Sequence, residues 1–407
     1  MRRARCRLRP PRAWHRCRTG NRSKVWKASR PPGVEQWKSA SSWAESGFPA
    51  TRAAHDPQRD RIELRPPRSA MVHWPGVHPI YEGTAVPPLP LTRQPIVIAH
   101  RGASGYLPEH TLPAKAYAHA IGADFLEQDV VLTKDDVPVV LHDIYLDSVS
   151  DVAGRFPERH RADGRFYAID FTWAEIQQLR ASERFHHEKG TPIFSGRFPI
   201  HASAFAIPSL EEELTFIAGL NKSTGRNTGI YPEIKQPAFH RKAGKDISRI
   251  VLDVIDRTGW GEPTQRIFIQ CFEADETRRI RQELGCRLPL IQLLASEWKE
   301  RVQPGQLTGL EKALDDVRTY ADGIGPALTH LLLQRDADGF LQTSPLVEAA
   351  HQRGLQVHPW TIRRDELPQT VESLETLHST LFLKLGVDGV FSDFPDLTVA
   401  YVKSRFG

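Results

Sequence analysis

Residues 97–114 read V-I-A-H-R-G-A-S-G-Y-L-P-E-H-T-L-P-A, and residues 123–143 read A-D-F-L-E-Q-D-V-V-L-T-K-D-D-V-P-V-V-L-H-D. The apolar run that ends at Ala99 is rich in β-branched residues and stops at His100-Arg101-Gly102, a basic pair set on a glycine that turns the chain. A second extended run carries Glu127 and Asp129 two positions apart. Side chains at i and i+2 of a strand share a face, so these carboxylates converge. A third extended run, residues 138–141, delivers His142 and Asp143 just past its end. The flanking Phe125, Leu126, Val130, Val131 and Leu132 are apolar, as in a sheet covered on both faces. Charges in such a place are costly unless they are paired or hold a metal. Two histidines, an arginine and two carboxylates at strand ends therefore point to a reaction centre rather than a packed core.

Outward from this stretch the chain alternates extended and helical segments. Strands are predicted at residues 95–99, 125–132, 229–235, 266–272, 288–294, 323–325, 356–361 and 389–392. Helices are predicted between them at residues 112–121, 210–220, 246–257, 274–284, 310–320, 344–353 and 374–385, the second opened by a capping box, Ser209-Leu210-Glu211-Glu212. This alternation is the mark of βα units on a parallel sheet. Eight such strands predict an α/β fold, a (β/α)8 TIM barrel. Residues 143–200 break the rhythm and are too long for an ordinary connection, so they read as an insertion after the second strand region, lying over the site. Chemistry in such barrels sits at the C-terminal ends of the strands. His100, Glu127, Asp129, Glu233, Lys235, Gln270, Trp360 and Asp393 all fall there in the predicted frame.

Charge divides the 407 residues into two unlike parts. The first 70 residues hold 18 basic against 5 acidic side chains, a net of +13, whereas the rest hold 36 against 44, a net of −8. A negative body is a poor nucleic-acid binder, because such binding runs on neutralising phosphates. Residues 1–90 lack any period that would bury a face and are expected to be a disordered basic extension, leaving residues 91–407 as the barrel. The sharp break in composition also fits a product that starts near Met71. No apolar run approaches the ~18 residues of a membrane span. Nor does an apolar stretch of ~7–15 residues follow the basic start, as a secretory signal requires. Four scattered cysteines, with no C-x-x-C, make no disulfide framework.

Glu233 and Lys235 repeat the two-apart spacing on the third strand, so three carboxylates, Glu127, Asp129 and Glu233, are expected to converge. Oxygen donors without thiolates suit Ca2+ or Mg2+ rather than Zn2+. The alternative is a bare ion-pair network in which Arg101 and Lys235 neutralise the acids. A divalent cation with Arg101 and Lys235 around one point fits a bound phosphate whose charge grows in the transition state. His100 and His142 then suit a general acid and a general base, in either order, since histidine titrates near neutral pH.

The block H-R-G-A-S-G-Y-L-P-E-H-T-L-P-A, the E-Q-D at residues 127–129 and the L-H-D at residues 141–143 resemble the bacterial glycerophosphodiester phosphodiesterases, especially the periplasmic calcium-dependent kind. The likeness runs from about Gln94 to Pro395. It implies hydrolysis of small glycerophosphodiesters to sn-glycerol 3-phosphate and an alcohol, with Ca2+ the expected ion and Mg2+ the alternative. By matching motif, His100 and His142 become the acid–base pair, Glu127, Asp129 and Glu233 the metal ligands, and Arg101 and Lys235 the phosphate binders. Glu109 matches an acid that positions its neighbours. Phe272 and Trp360 are candidate walls for glycerol and alcohol. Periplasmic residence is implied by the likeness, although the chain shows no signal-peptide pattern. Two alternatives are a phospholipase D-like cleavage of lysolipids, which needs an exposed apolar rim, and a catalytically silent surface-binding barrel.

Overall fold

The computed structural model describes residues 94–303 and 305–407. The basic extension expected at residues 1–90, with Met71 inside it, lies outside the described residues. Eight strands follow the predicted order: β1 (Ile96–Ala99), β2 (Phe125–Leu132), β3 (Gly229–Ile234), β4 (Ile269–Cys271), β5 (Leu290–Leu293), β6 (Gly323–Gly325), β7 (Gln356–Val357) and β8 (Gly389–Ser392). Each pairs parallel with its neighbour, in the order β7-β6-β5-β4-β3-β2-β1-β8. The last seam is bridged just beyond β7, where Phe391 N–H donates to Pro359 O and Ile362 N–H donates to Phe391 O. The result is a nearly closed (β/α)8 barrel.

Regular pairing in β7 covers less of the chain than the predicted residues 356–361. Pro359 has no N–H to give to a ladder, so the strand breaks there. The predicted strand at residues 266–272 likewise keeps regular pairing only over β4, with a separate bridge between Ile230 and Ile267. Helices α1 (Leu112–Ile121), α2 (Leu210–Thr224), α3 (Ile247–Arg257), α4 (Ala274–Gln282), α5 (Leu307–Val317), α6 (Leu346–His351), α7 (Leu374–Ser379) and α8 (Pro395–Phe406) surround the strands. Thr111 caps α1, and Ser209 with Glu212 forms a reciprocal capping box on α2, satisfying amide donors that a helix start leaves unpaired. All eight residues of β2 are buried, as expected for a strand with the barrel interior on one face and helices on the other.

The interior is filled, not open. Ile98, Phe125, Tyr231, Ile291 and Phe391 form one cluster inside the ring, with Phe268 and Trp360 against it. Gly229 makes room for it, since a Cβ there would lie 2.4 Å from Phe125 Cε1. The larger apolar cluster lies between strands and helices and includes Leu126, Leu214, Val251, Leu310 and Phe382.

Residues beyond β2 build a second core. Val130–Leu132 pair antiparallel with the short strand Pro138–Val140, which carries β2 past the end of the barrel. The face of β2 that presents Glu127 and Asp129 to the barrel mouth then presents Val131 to this core. There Val131, Val139 and Leu141 pack with Leu146, Phe166, Phe171, Ile176 and Leu179. The apolar residues of this stretch are scattered in sequence yet converge, so the long connection is a packed layer. Two short strands, Phe185–His186 and Thr191–Pro192, form a hairpin within it.

Candidate active site

The site begins where β1 ends. Arg101 has φ 58° and Gly102 φ 85°, consecutive left-handed positions that reverse the chain. A side chain is strained at the second position and would collide with Ala114, whose carbonyl carbon would lie 2.9 Å from a Cβ there, so only glycine serves. The reversal brings Arg101 N–H to Glu127 Oε2 at 2.8 Å. It also sends the Arg101 guanidinium towards Glu109 Oε2, 2.9 Å from one terminal nitrogen, and Asp129 Oδ2, 3.5 Å from Nε.

The register between β2 and β3 places Asp129 beside Glu233. One oxygen from each of Glu127, Asp129 and Glu233 lies within 4.8 Å of the others, and all three side chains are buried. Lys235 Nζ is 2.7 Å from Glu233 Oε1 and 3.6 Å from Asp129 Oδ1. Among the described residues, Asp129 Oδ1 has no hydrogen-bond partner. Gln270 Nε2 donates to Glu127 Oε1 at 3.0 Å, and His110 Nε2 lies 2.7 Å from Asp129 Oδ2. Burial and then repulsion from Asp129 push Glu127 well above the ordinary carboxyl range. Burial also lifts Glu233 to about 8 against the pull of Lys235. Asp129 falls well below its usual range despite burial, chiefly because Lys235 holds its charge. Three acids crowded in one dry place thus share less negative charge than three free carboxylates would, which a positive ion would reverse.

The two histidines are built alike. His100 Nδ1 is 2.5 Å from Asp393 Oδ1, and His142 Nδ1 is 2.7 Å from Asp143 Oδ1. Asp393 and Asp143 are both held far below the ordinary carboxylate range, against burial, by histidine and arginine neighbours. An ionised carboxylate only accepts, so each ring donates from Nδ1 and keeps Nε2 for other work. His100 Nε2 lies 3.8 Å from Glu127 Oε2. Burial, with help from Arg101, lowers the pKa of each histidine to about 4, so both imidazoles are neutral at pH 7.

These groups share one cavity of about 310 Å³ at the C-terminal ends of the strands, lined by His100, Arg101, Glu127, Asp129, His142 and Glu233 together with Lys235, Gln270, Phe272, Trp360 and Arg363. Trp360 is anchored by Nε1–H donating to Gly325 O at 2.8 Å and stands edge-on to Phe272, with ring centroids 5.7 Å apart. Of the candidate site residues singled out from the sequence, His100, Arg101, Glu127, Asp129, His142, Glu233, Lys235, Gln270, Phe272 and Trp360 line this cavity, whereas Glu109, Asp143 and Asp393 do not. Glu109 stands behind Arg101 and is held ionised, despite burial, by Arg101 and Arg184.

The sequence reading passed over His110, Arg184, Arg197 and Arg363. His110 lay in the quoted P-E-H-T, and its place after a turn was its only signal. Arg184 and Arg197 come from the layer after β2, where no pattern marked them. Arg197 and Arg363 both reach Asp393 Oδ2, at 2.7 and 3.0 Å.

Comparison with known proteins points to one family. Residues 100–397 match the glycerophosphoryl diester phosphodiesterase family. The chain is 43% identical over 334 residues to a glycerophosphodiester phosphodiesterase of Haemophilus influenzae, covering 76% of this chain and 90% of that one. A second such protein, from Treponema pallidum, is 37% identical over 325 residues, covering 75% and 91%. Among solved structures, an Oleispira antarctica phosphodiesterase in complex with the product sn-glycerol-3-phosphate superposes with a TM-score of 0.52 at 22% identity, over 76% of this chain and 97% of that one. A chain whose barrel carries this charged mouth, and which curated relatives match over three quarters of its length, belongs to the glycerophosphoryl diester phosphodiesterase family and is a phosphoric diester hydrolase.

Proposed function

We propose that the chain hydrolyses small glycerophosphodiesters to sn-glycerol 3-phosphate and an alcohol, with His100 and His142 as the acid–base pair and a divalent cation held by Glu127, Asp129 and Glu233. The observation that carries this reading is the meeting of three buried carboxylates, two cations and two neutral histidines at one cavity. The donor set fits a hard cation: the oxygens lie within 4.8 Å of one another, Asp129 Oδ1 lacks a hydrogen-bond partner among the described residues, and no thiolate takes part. Bound there, Ca2+, or Mg2+ in its place, would supply charge stabilisation to the phosphoryl oxygens.

The chain's own residues do the rest. Arg101 and Lys235 present fixed positive charge to the phosphodiester, Arg101 through a planar fork that burial and Glu109 keep in place. A neutral histidine takes a proton at Nε2 from the attacking oxygen, either water directly or the 2-hydroxyl of the glycerol, in which case water then opens the resulting cyclic phosphodiester to sn-glycerol 3-phosphate. The phosphodiester brings negative charge between Arg101 and Lys235, offsetting cations that hold His142 low and letting one histidine carry the proton the leaving alcohol needs. As the new P–O bond forms and the old one breaks, that proton passes to the departing oxygen. Phe272 and Trp360 shape the wall beside glycerol or alcohol.

The small-substrate reading is supported over cleavage of lysolipids by the surface. Among the described residues the exposed large apolar side chains are Tyr117, Ile193, Leu307, Phe340 and Leu383, of which only Ile193 belongs to residues 143–200. Turnover of glycerophosphocholine, followed as sn-glycerol 3-phosphate with and without chelator, tests the proposal. Release that stops with chelator and returns with Ca2+ or Mg2+ is expected; no release under any metal condition would overturn it.

A further inference from the structure

We propose that residues 143–200 act as a clasp on the catalytic histidines, with Arg184 and Arg197 as positioning residues that work through Asp143 on His142 and through Asp393 on His100. This rests on the assignment of His100 and His142 as the acid–base pair.

The two sides repeat one arrangement. Asp143 Oδ1 meets His142 Nδ1 at 2.7 Å, while Asp143 Oδ2 meets a terminal nitrogen of Arg184 at 2.5 Å. Asp393 Oδ1 meets His100 Nδ1 at 2.5 Å, while Asp393 Oδ2 meets a terminal nitrogen of Arg197 at 2.7 Å. In each case one carboxylate oxygen serves the histidine and the other serves an arginine. The carboxylate then cannot rotate away, and the imidazole keeps both its tautomer and its aim. Each arginine is itself pinned at a second acid. Arg184 forks onto Glu109 at 3.0 and 2.6 Å, and Arg197 onto Asp365 at 2.8 and 3.0 Å. Glu109 in turn accepts from Arg101 at 2.9 Å, so the Arg184 link also steadies the phosphate-facing guanidinium.

The placement in the chain argues for a purpose. Arg184 immediately precedes the strand Phe185–His186 and Arg197 follows the strand Thr191–Pro192, so one hairpin carries both links. The backbone fixes that hairpin: Phe185 N–H donates to Ser148 O at 3.0 Å and Ile193 N–H to Arg184 O at 3.1 Å. Arg197 also lies over the Phe194 ring at 3.7 Å. By contrast, Arg155, Arg159, Arg161 and Arg165 pair with Asp151, Glu175, Asp170 and Asp147, all inside the same segment. Those pairs hold the layer together; Arg184 and Arg197 reach the mouth.

The test measures steady-state kinetics on glycerophosphocholine for Arg184→Ala, Arg197→Ala, Arg197→Lys, His100→Ala and His142→Ala, with Arg155→Ala as a surface control. Loss of a positioning contact that matters mainly in the transition state should lower kcat by about 10-fold or more in Arg184→Ala, with KM changed less than about 3-fold. Arg197→Ala should lose less, because Arg363 also reaches Asp393 Oδ2. Arg197→Lys keeps the charge but not the fork, and guards against a variant that fails to fold; it should fall below wild type with its melting temperature preserved. Free guanidinium, well below denaturing concentration, should restore part of the kcat of Arg184→Ala and none of that of His142→Ala. Arg155→Ala should match wild type. Folded Arg184→Ala and Arg197→Ala with wild-type kcat, or a loss in KM alone, or a kcat loss that guanidinium leaves untouched, would overturn the clasp. If His100→Ala and His142→Ala keep turnover, the acid–base assignment falls instead; if they lose it while the arginine variants do not, the clasp alone falls.

Discussion

The barrel mouth and the layer built from residues 143–200 meet where Arg184 and Arg197 reach Asp143 and Asp393, but they come from opposite kinds of sequence. The mouth is regular: two residues apart on β2, Glu127 and Asp129 share a face because a strand repeats every second residue. The layer is irregular, with short helical turns and a small hairpin, yet it buries Leu146, Phe171, Ile176 and Leu179 in its own core. The difference teaches how labour can be divided in such a site. Regular strands bring the reactive groups together, and an irregular layer delivers the charges that orient them.

Changes at the mouth are expected to be the most severe. Glu127→Gln or Glu233→Gln replaces a carboxyl that can ionise against a cation with a neutral amide and should abolish both turnover and divalent-cation binding measured by titration calorimetry. Full turnover after exhaustive dialysis against chelator would separate the carboxylates from any metal role.

Next comes the core of the layer. Phe171 is fully buried there, against Phe156 at a ring distance of 5.5 Å. Phe171→Ala should cost about 3–5 kcal/mol of stability, as deleting a buried aromatic does. Because Val131 of β2 belongs to the same cluster, urea unfolding should remain one transition. Two separated transitions would make the layer an independent unit and undo the comparison drawn above.

The histidines follow. His100→Ala and His142→Ala should each lower kcat by roughly 100-fold or more, the usual cost of losing a positioned acid or base. Near-normal kcat for either across pH 6–9 would remove that residue from the proton-transfer step.

The smallest effect concerns a histidine away from the mouth. His378 on α7 is buried against Thr398, and burial lowers its pKa to about 4. An unfolded histidine titrates near ~6.5, so the unfolded chain takes up a proton that the fold refuses. The stability this group contributes is complete above pH ~6.5 and is lost as the pH falls from there through about 4. His378→Gln should therefore lose less stability than wild type between pH 7.5 and 5, read from urea midpoints. Equal losses in the two proteins would show that the barrel helices do not hold His378 neutral.

Most of the barrel could be read from the chain alone. Residues 112–121, 125–132 and 389–392 have the same bounds in the structure as in the prediction, because local period and turn chemistry decide them. Where prediction overran, at residues 266–272 and 356–361, pairing depends on what the neighbouring strand offers and, in the second case, on a proline without a donor. The mouth was legible for the same reason as the strands: Glu127 with Asp129 and Glu233 with Lys235 are local patterns.

What the sequence by itself determined is the set of strand-borne groups and the family they mark, since strand period and turn-forming glycine fix them within a few residues. Tertiary structure alone decided which acid holds His100 and which arginine holds Glu109 from the layer. Asp393 meets His100 across 293 positions, and Arg184 meets Glu109 across 75, distances at which no local period operates. It also decided the charge states, because burial is a property of the assembled fold. Burial sets Glu233 near 8 and both mouth histidines near 4, values that no single stretch of the chain encodes.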